Sequence, residues 1–265
     1  MRKKQATSDF QVAFDAGGRL ARRKTEVLPD GSYLFEDELE VGGVLTATVI
    51  TCAAWLLELY ELTAGELIFI SNSERISPKT KCFGVFYPPF TIAQPSFKNV
   101  RGHLLGIAAT DFLPEEFTGA PAIFDTSLVE PPSSVAQVIE ILKAGDNRQR
   151  IDLNPKPSLL SLKAKKLIDE SYIVYPSIAR VASRLGVTHE HLSRQFKRDF
   201  GMSPSSYLHQ LRVADAPLRL AKGEEIVNVS LDVGYNDLSR FYKQFRKTTK
   251  TSPGVCRGVM KPGGS

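Results

Sequence analysis

The sequence predicts an α+β protein of two domains, a mostly-β sandwich or barrel followed by an all-α domain. Three observations predict this fold. Short apolar runs separated by turn signals fill residues 33–109, a segment near the C-terminus recurs 49 residues later, and the second half carries most of the basic charge. A polar, proline-containing stretch over 146–157 is the expected linker between a domain over 1–145 and a domain over 158–260.

The first half alternates runs of Val, Ile, Leu, Phe and Thr with turn signals such as Gly42-Gly43 and Pro88-Pro89. This spacing favours many short strands over an alternation of strands and helices. A barrel of this size can enclose one small molecule, although aromatic residues at strand spacing more often form ordinary core. The candidate lining residues are Trp55, Tyr60, Phe69, Phe83, Phe86, Tyr87 and Phe90.

The first half offers little for catalysis. His103 is its only histidine, whereas a metal-dependent barrel enzyme needs several histidine and carboxylate ligands at one site. A catalytic triad would also have to use His103. The cysteines Cys52, Cys82 and Cys256 are widely spaced and odd in number, so they predict neither a disulfide framework nor a zinc site. We therefore expect no enzyme activity, no metal and no cofactor.

Two further features concern charge and membranes. A small basic cluster could bind an anionic effector through bidentate phosphate contacts, although a solvated charge run is the commoner explanation. No apolar segment follows the basic start MRKKQATSDF, and the longest apolar run, 44–57, is too short to span a bilayer. We expect a cytoplasmic protein without a membrane partner. The cluster comprises Arg19, Arg22, Arg23 and Lys24.

The segment VAQVIEILKAG predicts an amphipathic helix between the two halves. Ser133-Ser134 supplies a capping residue before it, and Gly145 ends it. The apolar face can pack on its own domain, or it can form a homodimer contact with a second copy. That face carries Val135, Val138, Ile139 and Leu142.

The second half is built on a repeat. RQFKRDFGMSP at 194–204 recurs as KQFRKTTKTSP at 243–253. Residues 158–265 carry 18 Lys+Arg against 9 Asp+Glu, whereas residues 1–157 carry 16 against 20. This asymmetry indicates a C-terminal part that binds a polyanion, although a basic face can also be merely solvated.

The first copy of the repeat predicts a helix-turn-helix unit. Ser177 can cap a short helix, Gly186 permits a tight turn, and Thr188 can cap a second helix. At ~100° per residue, Leu192 and Phe196 face the core. The opposite side of the second helix carries Glu190, Ser193, Arg194 and Lys197.

The same arrangement follows a long helix over about 204–221, in which Pro217 should bend or break the helix. Gly234 forms the second turn and Asn236 is the expected cap. Phe241 and Phe245 face the core, and Leu238 is expected on the same side. The outward side carries Asn236, Ser239, Tyr242, Lys243 and Arg246.

These residues resemble the AraC/XylS-type transcriptional regulators over about residues 158–257. The chain departs from the family pattern at Thr249-Lys250, where Phe-Gly is usual, and at Cys256, where an aromatic is usual. The resemblance rests on positions in both units and on the long helix between them. Among them are Ala182, Gly186, Leu192, Ser193, Phe196, Gly201, Pro204, Tyr207, Leu211, Arg212, Gly234, Tyr235, Asp237, Phe241, Phe245, Pro253 and Arg257.

The resemblance implies a sequence-specific DNA-binding regulator whose N-terminal, cupin-like sandwich or barrel senses a small molecule or sets dimerisation. Double-stranded DNA is the implied partner, with a small-molecule effector and, for an activator, RNA polymerase. Two alternatives stay open: an enzyme that the basic half tethers to DNA, and an effector-free module for protein contacts.

The resemblance also implies which residues meet DNA. Arg194 could donate two hydrogen bonds to guanine, and Glu190 could accept one from cytosine. Phosphate contacts position the domain without specifying sequence. The groove-facing candidates are Glu190, Ser193, Arg194, Asn236, Ser239 and Lys243. The phosphate-contacting candidates are Lys197, Arg198, Arg246 and Lys247.

Overall fold

The computed structural model describes residues 18–28, 32–47, 49–71, 74–109, 120–126, 134–151, 156–174, 177–249 and 252–257. Its first part is rich in strands and its second part is helical, which confirms the α+β prediction. The strands are β1 (Gly18–Val27), β2 (Tyr33–Val41), β3 (Val44–Thr46), β4 (Val49–Ile50), β5 (Trp55–Ser71), β6 (Glu74–Ile76), β7 (Cys82–Tyr87), β8 (Ile92–Ala93), β9 (Ser96–Ala109), β10 (Ala122–Asp125) and β11 (Asp146–Arg150).

The described strands form one large antiparallel sheet and one small one. The large sheet has the order β1-β2-β9-β5-β7-β10-β11, with β3 beside β9 and β6 beside β5. The small sheet pairs β4 with β8. Within the described strands, β1 and β11 are the two end strands and do not pair with each other, so the sheet is open and the expected barrel does not close. A cupin-like fold for this part stays a prediction.

Both faces of the large sheet carry buried apolar side chains. Successive residues of a strand point to opposite faces, so each long strand contributes to both cores. One face carries Tyr60, Phe83 and Phe97, and the other carries Trp55 and Leu57. The six residues of β7 are nearly all buried, which is typical of a strand covered on both faces.

Helix α1 (Val135–Ala144) begins after Ser134, whose hydroxyl accepts a hydrogen bond from the Gln137 amide at 3.4 Å. Its buried residues pack in the same core as Trp55 of the sheet. Val138 and Leu142 of the predicted apolar face therefore pack on the chain's own sheet, whereas Ile139 is half-buried and the side chain of Val135 lies outside the described part of the structure. These buried residues are Val138, Ile141 and Leu142.

Part of the expected linker is structured. Residues 146–150 form β11, which pairs with β10 at the edge of the large sheet. The side chains of β11 are mostly exposed. Because both faces of this edge strand are mostly exposed to solvent, its sequence DNRQR shows no alternation of apolar and polar residues. The sequence alone therefore predicts a linker here.

The helices after residue 156 form two hydrophobic cores, and one long helix contributes residues to both. They are α2 (Leu159–Asp169), α3 (Ile178–Arg184), α4 (His189–Phe200), α5 (Pro204–Ala221), α6 (Ile226–Asp232), α7 (Leu238–Thr249) and α8 (Pro253–Arg257). Helix α5 contributes Leu211 to the first core and Ala216 to the second. It continues through Pro217, so Pro217 does not break the helix, and the bend expected there stays a prediction. None of the described helices is long and apolar enough to cross a membrane.

The small sheet docks on the first helical core. Ile92 of β8 is 5% exposed and belongs to that core, and the ring of Phe90 meets the edge of Tyr172 with centroids 6.2 Å apart. The ammonium of Lys165 donates a hydrogen bond to the Phe90 carbonyl at 2.6 Å. The strand-rich and helical parts are therefore packed together rather than merely linked.

Candidate nucleic-acid interface

The first helix-turn-helix unit consists of α3, a glycine turn and α4. Gly186 has a φ of +69°, a left-handed conformation that glycine adopts without strain. Thr188 caps α4 by accepting a hydrogen bond from the backbone N–H of His191 at 3.2 Å, as predicted. Ser177 precedes α3 as expected, but its side chain makes no capping hydrogen bond within the described residues.

Helix α4 buries one face and exposes the other. The buried residues are those predicted to face the core, Leu192 and Phe196, together with Phe200. The outward candidates Glu190, Arg194, Lys197 and Arg198 are exposed, and Ser193 is half-buried. The positions agree with the helical periodicity, and their roles towards DNA stay predictions.

Asp199 anchors α4 to the start of α2. Its carboxylate accepts hydrogen bonds from the backbone N–H of Ser158 at 2.9 Å and from the Ser158 hydroxyl at 2.5 Å. Gln195 donates a further hydrogen bond at 3.0 Å. Burial raises the pKa of Asp199, but the hydrogen bonds outweigh burial, so the net pKa lies well below its usual range.

The second unit consists of α6, a turn at Gly234 and α7. Gly234 has a φ of +88°, and a Cβ atom there would lie 2.5 Å from the Ile173 carbonyl oxygen. The prediction that Asn236 caps α7 is wrong. Asp237 caps it, because its Oδ1 accepts hydrogen bonds from the backbone N–H groups of Ser239 at 2.8 Å and Arg240 at 3.2 Å. Asn236 precedes the cap and is exposed.

The prediction that Leu238 lies on the core side is also wrong, since 39% of this residue is exposed. Leu238 is the first residue of α7. Side chains on a helix point towards its N-terminus, so a side chain on the first residue projects past the end of the core.

The rest of α7 resembles α4. Phe241 and Phe245 are fully buried, as predicted. Tyr242 is half-buried, and its ring meets that of Phe241 edge-on with centroids 6.2 Å apart. The outward candidates Ser239, Lys243, Arg246 and Lys247 are exposed.

Unpaired positive charge marks the outward faces of both helices. Within the described residues, no ion pair involves Arg194, Lys197, Lys243, Arg246 or Lys247. Arg198 differs, because its Nε lies 3.6 Å from Asp199. An exposed cation that is already neutralised inside the protein has less to gain from a phosphate, so the unpaired cations suit a polyanion best.

Arg212 of α5 ties the two units together. Its Nε donates a hydrogen bond to the Tyr172 carbonyl at 2.7 Å, next to the first core. Its guanidinium also lies over the ring of Tyr235 in the second core, 5.6 Å from the centroid. The side chain is buried. One residue thus contacts both units.

Sequence reasoning missed a contact between α5 and α7. His209 accepts or donates a hydrogen bond with Tyr235 at 3.2 Å, and its other ring nitrogen lies 3.4 Å from an Arg240 nitrogen. Burial, followed by the charges of Arg240 and Arg212, lowers the pKa of His209 to about 4. The sequence did not predict this contact, because hydrophobic periodicity shows which side of a helix is buried but not which polar residue of another helix Arg240 meets.

The aromatic residues proposed to line an effector cavity are divided among three core clusters. Tyr60, Phe69, Phe83 and Tyr87 belong to one core, and Trp55 and Phe86 belong to the core on the other side of the sheet. The rings of Tyr60 and Phe83 stack with centroids 4.9 Å apart. Phe90 packs against the helical core instead.

Other candidate ligand sites in the first half have little support. A cavity of about 10 Å³ beside Phe124 and Asp125 has room for a single water molecule. Among the described residues, no group of three or more His, Cys, Asp or Glu side chains could hold a metal ion. The side chains of Arg19, Arg22, Arg23 and Lys24 lie outside the described part of the structure.

Comparisons with known proteins identify the helical half. Residues 181–258 match a family model described as a helix-turn-helix domain. The HTH-type transcriptional activator RhaS of Pectobacterium carotovorum is 34% identical over 78 residues, which cover 29% of this chain and 28% of that protein. The lactose operon transcription activator of Staphylococcus xylosus is 32% identical over 95 residues, covering 36% of this chain and 34% of that protein.

A solved structure extends the likeness to both halves. Apo ToxT of Vibrio cholerae, in a lysine-to-alanine variant, covers 89% of this chain and 100% of that chain with a TM-score of 0.50. At 11% sequence identity, this likeness shows the fold alone. The chain spans about a third of the length of the curated relatives it matches. The resemblance to AraC/XylS-type regulators is confirmed for the C-terminal region, where residues 181–258 match a helix-turn-helix domain.

Proposed function

We propose that this chain is a sequence-specific DNA-binding transcription regulator of the AraC/XylS type. In this proposal the DNA-binding domain spans 158–260, and residues 1–145 form a sensory or dimerisation domain. The observation that carries the proposal is the pairing of two helix-turn-helix units on one helix. Each unit buries a phenylalanine core and turns unpaired cations outward, which is the construction that an outward helix needs to enter a major groove.

In this proposal the outward residues of α4 and α7 divide into two roles. Glu190 and Arg194 suit base contacts, since no ion pair joins them within the described structure and each keeps its hydrogen-bonding capacity for DNA. Lys197 and Arg246 suit phosphates, which fix the position of the helix without specifying sequence. Ser193, Asn236, Ser239 and Lys243 complete the base-contacting set, and Arg198 and Lys247 complete the phosphate-contacting set.

The test compares two substitutions in one helix. Binding sites are first selected from random duplexes with the full chain, and Kd is then measured at several salt concentrations. Arg194→Ala should cost about 1 to 3 kcal/mol and relax specificity at one base pair. Lys197→Ala should weaken binding equally on all sequences and reduce the salt slope by about 1.

The matched control is Lys143→Ala, which removes one positive charge from the exposed side of α1 and should leave Kd unchanged. An equal loss on every sequence for Arg194→Ala would make Arg194 a phosphate contact. A wild-type chain that enriches no sequence from the random pool would contradict the proposed function.

We propose further that the first half responds to a small-molecule effector. The docking of β8 on the first helical core supports this, because a ligand that displaces β8 would alter the unit that binds DNA. A ligand bound to the native state must raise its melting temperature. A metabolite screen by thermal shift with the full chain, repeated with its DNA site present, should find one that also changes Kd for DNA.

A specific observation favours a second candidate, a protein-interaction module without an effector. In the described strands, the candidate aromatic side chains belong to two separate cores on opposite faces of the sheet, Tyr60, Phe69, Phe83 and Tyr87 in one and Trp55 and Phe86 in the other. If every metabolite in the screen leaves both the melting temperature and the DNA affinity unchanged, this candidate replaces the effector proposal. In either case, partners such as RNA polymerase or a second copy would have to bind a surface other than the buried face of α1.

A further inference from the structure

The two helix-turn-helix units differ in chemistry at equivalent positions. Offset by 49 residues, Leu238 of α7 corresponds to His189 of α4, and Tyr242 corresponds to Ser193. The first unit is polar at both places. The second unit carries two large apolar side chains at the same places on its outward helix.

These two side chains share one side of α7. Leu238 and Tyr242 are four residues apart, so they are neighbours along the helix surface. Arg246 continues the same row four residues later and is exposed. One side of α7 therefore carries Leu238 and Tyr242 near its N-terminus and Arg246, whose charge suits a phosphate, one turn further on.

The local structure holds both side chains at the surface. Leu238 is 39% exposed because it stands on the first residue of α7, past the end of the core. The Tyr242 ring is packed edge-on against the buried ring of Phe241, which fixes its orientation while one side stays open to solvent. A ring that is already packed, as that of Tyr242 is, loses little conformational entropy on binding.

The apolar group in the major groove of DNA is the 5-methyl of thymine, and apolar side chains contact it. Asn236, which is exposed just before the cap of α7, has an amide of the kind that pairs with adenine N6 and N7. An adenine-binding amide beside two apolar side chains matches the two halves of an A·T pair.

We propose that Leu238 and Tyr242 recognise thymine methyl groups, so that the second unit selects A·T pairs while the polar first unit selects G·C pairs through Glu190 and Arg194. The inference rests on the proposed function and adds the base composition of each half-site. It also assigns sequence preference to two residues that are not among the predicted DNA contacts.

The experiment removes the methyl group from the DNA instead of changing the protein. The site selected with the full chain is synthesised with deoxyuridine in place of thymidine, one position at a time, which leaves every hydrogen-bonding group intact. The half-site whose specificity relaxes in Arg194→Ala belongs to the first unit. At one or two positions of the other half-site, each loss of a methyl should raise Kd about fourfold, the value expected for one buried methyl group.

Protein variants then identify the partner of each methyl. Leu238→Ala should bind the thymidine site more weakly and lose its sensitivity to deoxyuridine at one position, and Tyr242→Ser should do so at another. Tyr242→Phe keeps the ring and should keep the sensitivity. His189→Ala, at the position equivalent to Leu238, is the matched control in the first unit and should keep full sensitivity at both positions.

The outcomes separate the two proposals. Sequence-specific binding with the same Kd on thymidine and deoxyuridine sites would overturn the inference and leave the proposed function standing. Sensitivity that persists undiminished in Leu238→Ala and Tyr242→Ser would also overturn it. Failure to enrich any sequence would instead contradict the proposed function.

Discussion

At the scale of single residues, Asp199 shows how the outward helix of the first unit is held in place. Its carboxylate receives both the backbone N–H and the hydroxyl of Ser158, the residue that caps α2. These charge-assisted hydrogen bonds lower the pKa of Asp199 below its usual range despite burial. The orientation of α4 therefore depends on a carboxylate that must stay ionised.

The ionised state of Asp199 predicts a dependence of stability on pH. Because the folded-state pKa is depressed, the stabilisation is fully present above the unfolded pKa of about 3.9 and is lost as the pH falls below it. Asp199→Asn should cost about 2 kcal/mol at pH 7. Its melting temperature should differ from that of the wild type at pH 7, and the difference should shrink as the pH falls from the unfolded pKa of about 3.9 towards the depressed folded-state pKa. A difference that stays constant over this range would show that the charge of Asp199 is not involved.

One residue, Leu238, also shows the limit of pattern analysis. Leu238 has the angular position of a core residue, and only its place at the first residue of α7 exposes it. Helical periodicity shows which side of a helix a residue lies on, but it does not show whether the core extends as far as the end of the helix. Phe196 and Phe245 lie well inside their helices, where the same periodicity is sufficient.

At the scale of elements, the helix-turn-helix units were predictable because their signals are local. A glycine turn, a capping side chain and a 3.6-residue period all lie within about 25 residues of one another. The error at α7 is one residue, since both Asn236 and Asp237 are good caps and the sequence does not show where the first helical turn begins. β11 was missed for the opposite reason, because its strand character comes from pairing with β10.

The cap of α7 gives a test at this scale. Asp237→Ala removes the acceptor for two backbone N–H groups and should lower the free energy of unfolding by about 1 kcal/mol. Asn236→Ala, the matched control one residue earlier, should change it by less than about 0.5 kcal/mol. Both are measured by urea denaturation of the full chain. A larger effect for Asn236→Ala would return the capping role to that residue.

At the scale of the whole molecule, the sequence predicted two parts but not their packing. The contacts that join them involve Ile92 and Phe90 on one side and Lys165 and Tyr172 on the other. These residues are more than 70 positions apart along the chain, and no periodic pattern links them. The strand order of the large sheet could not be predicted either, because it pairs strands that lie far apart in the sequence, such as β2 and β9.

The packing predicts that a substitution in the strand-rich half will loosen the helices. Ile92→Ala removes a buried side chain from the first helical core and should cost about 2 to 5 kcal/mol. Hydrogen exchange should then accelerate at the amides of α2 and α5. Ile123→Ala is the matched control, because Ile123 is equally buried but packs only within the sheet core. Acceleration confined to the strands in both variants would contradict the coupling.

Helix α5 has a geometric consequence for any duplex that the protein binds. Its 18 residues span roughly 27 Å as one unbroken rod, and each helical core is fastened to one end of it. In the proposed function, a connecting helix of fixed length sets one phase between the two grooves that the outward helices would enter. Each base pair inserted between the half-sites would rotate one groove by about 35° away from its helix, and DNA binding should weaken accordingly.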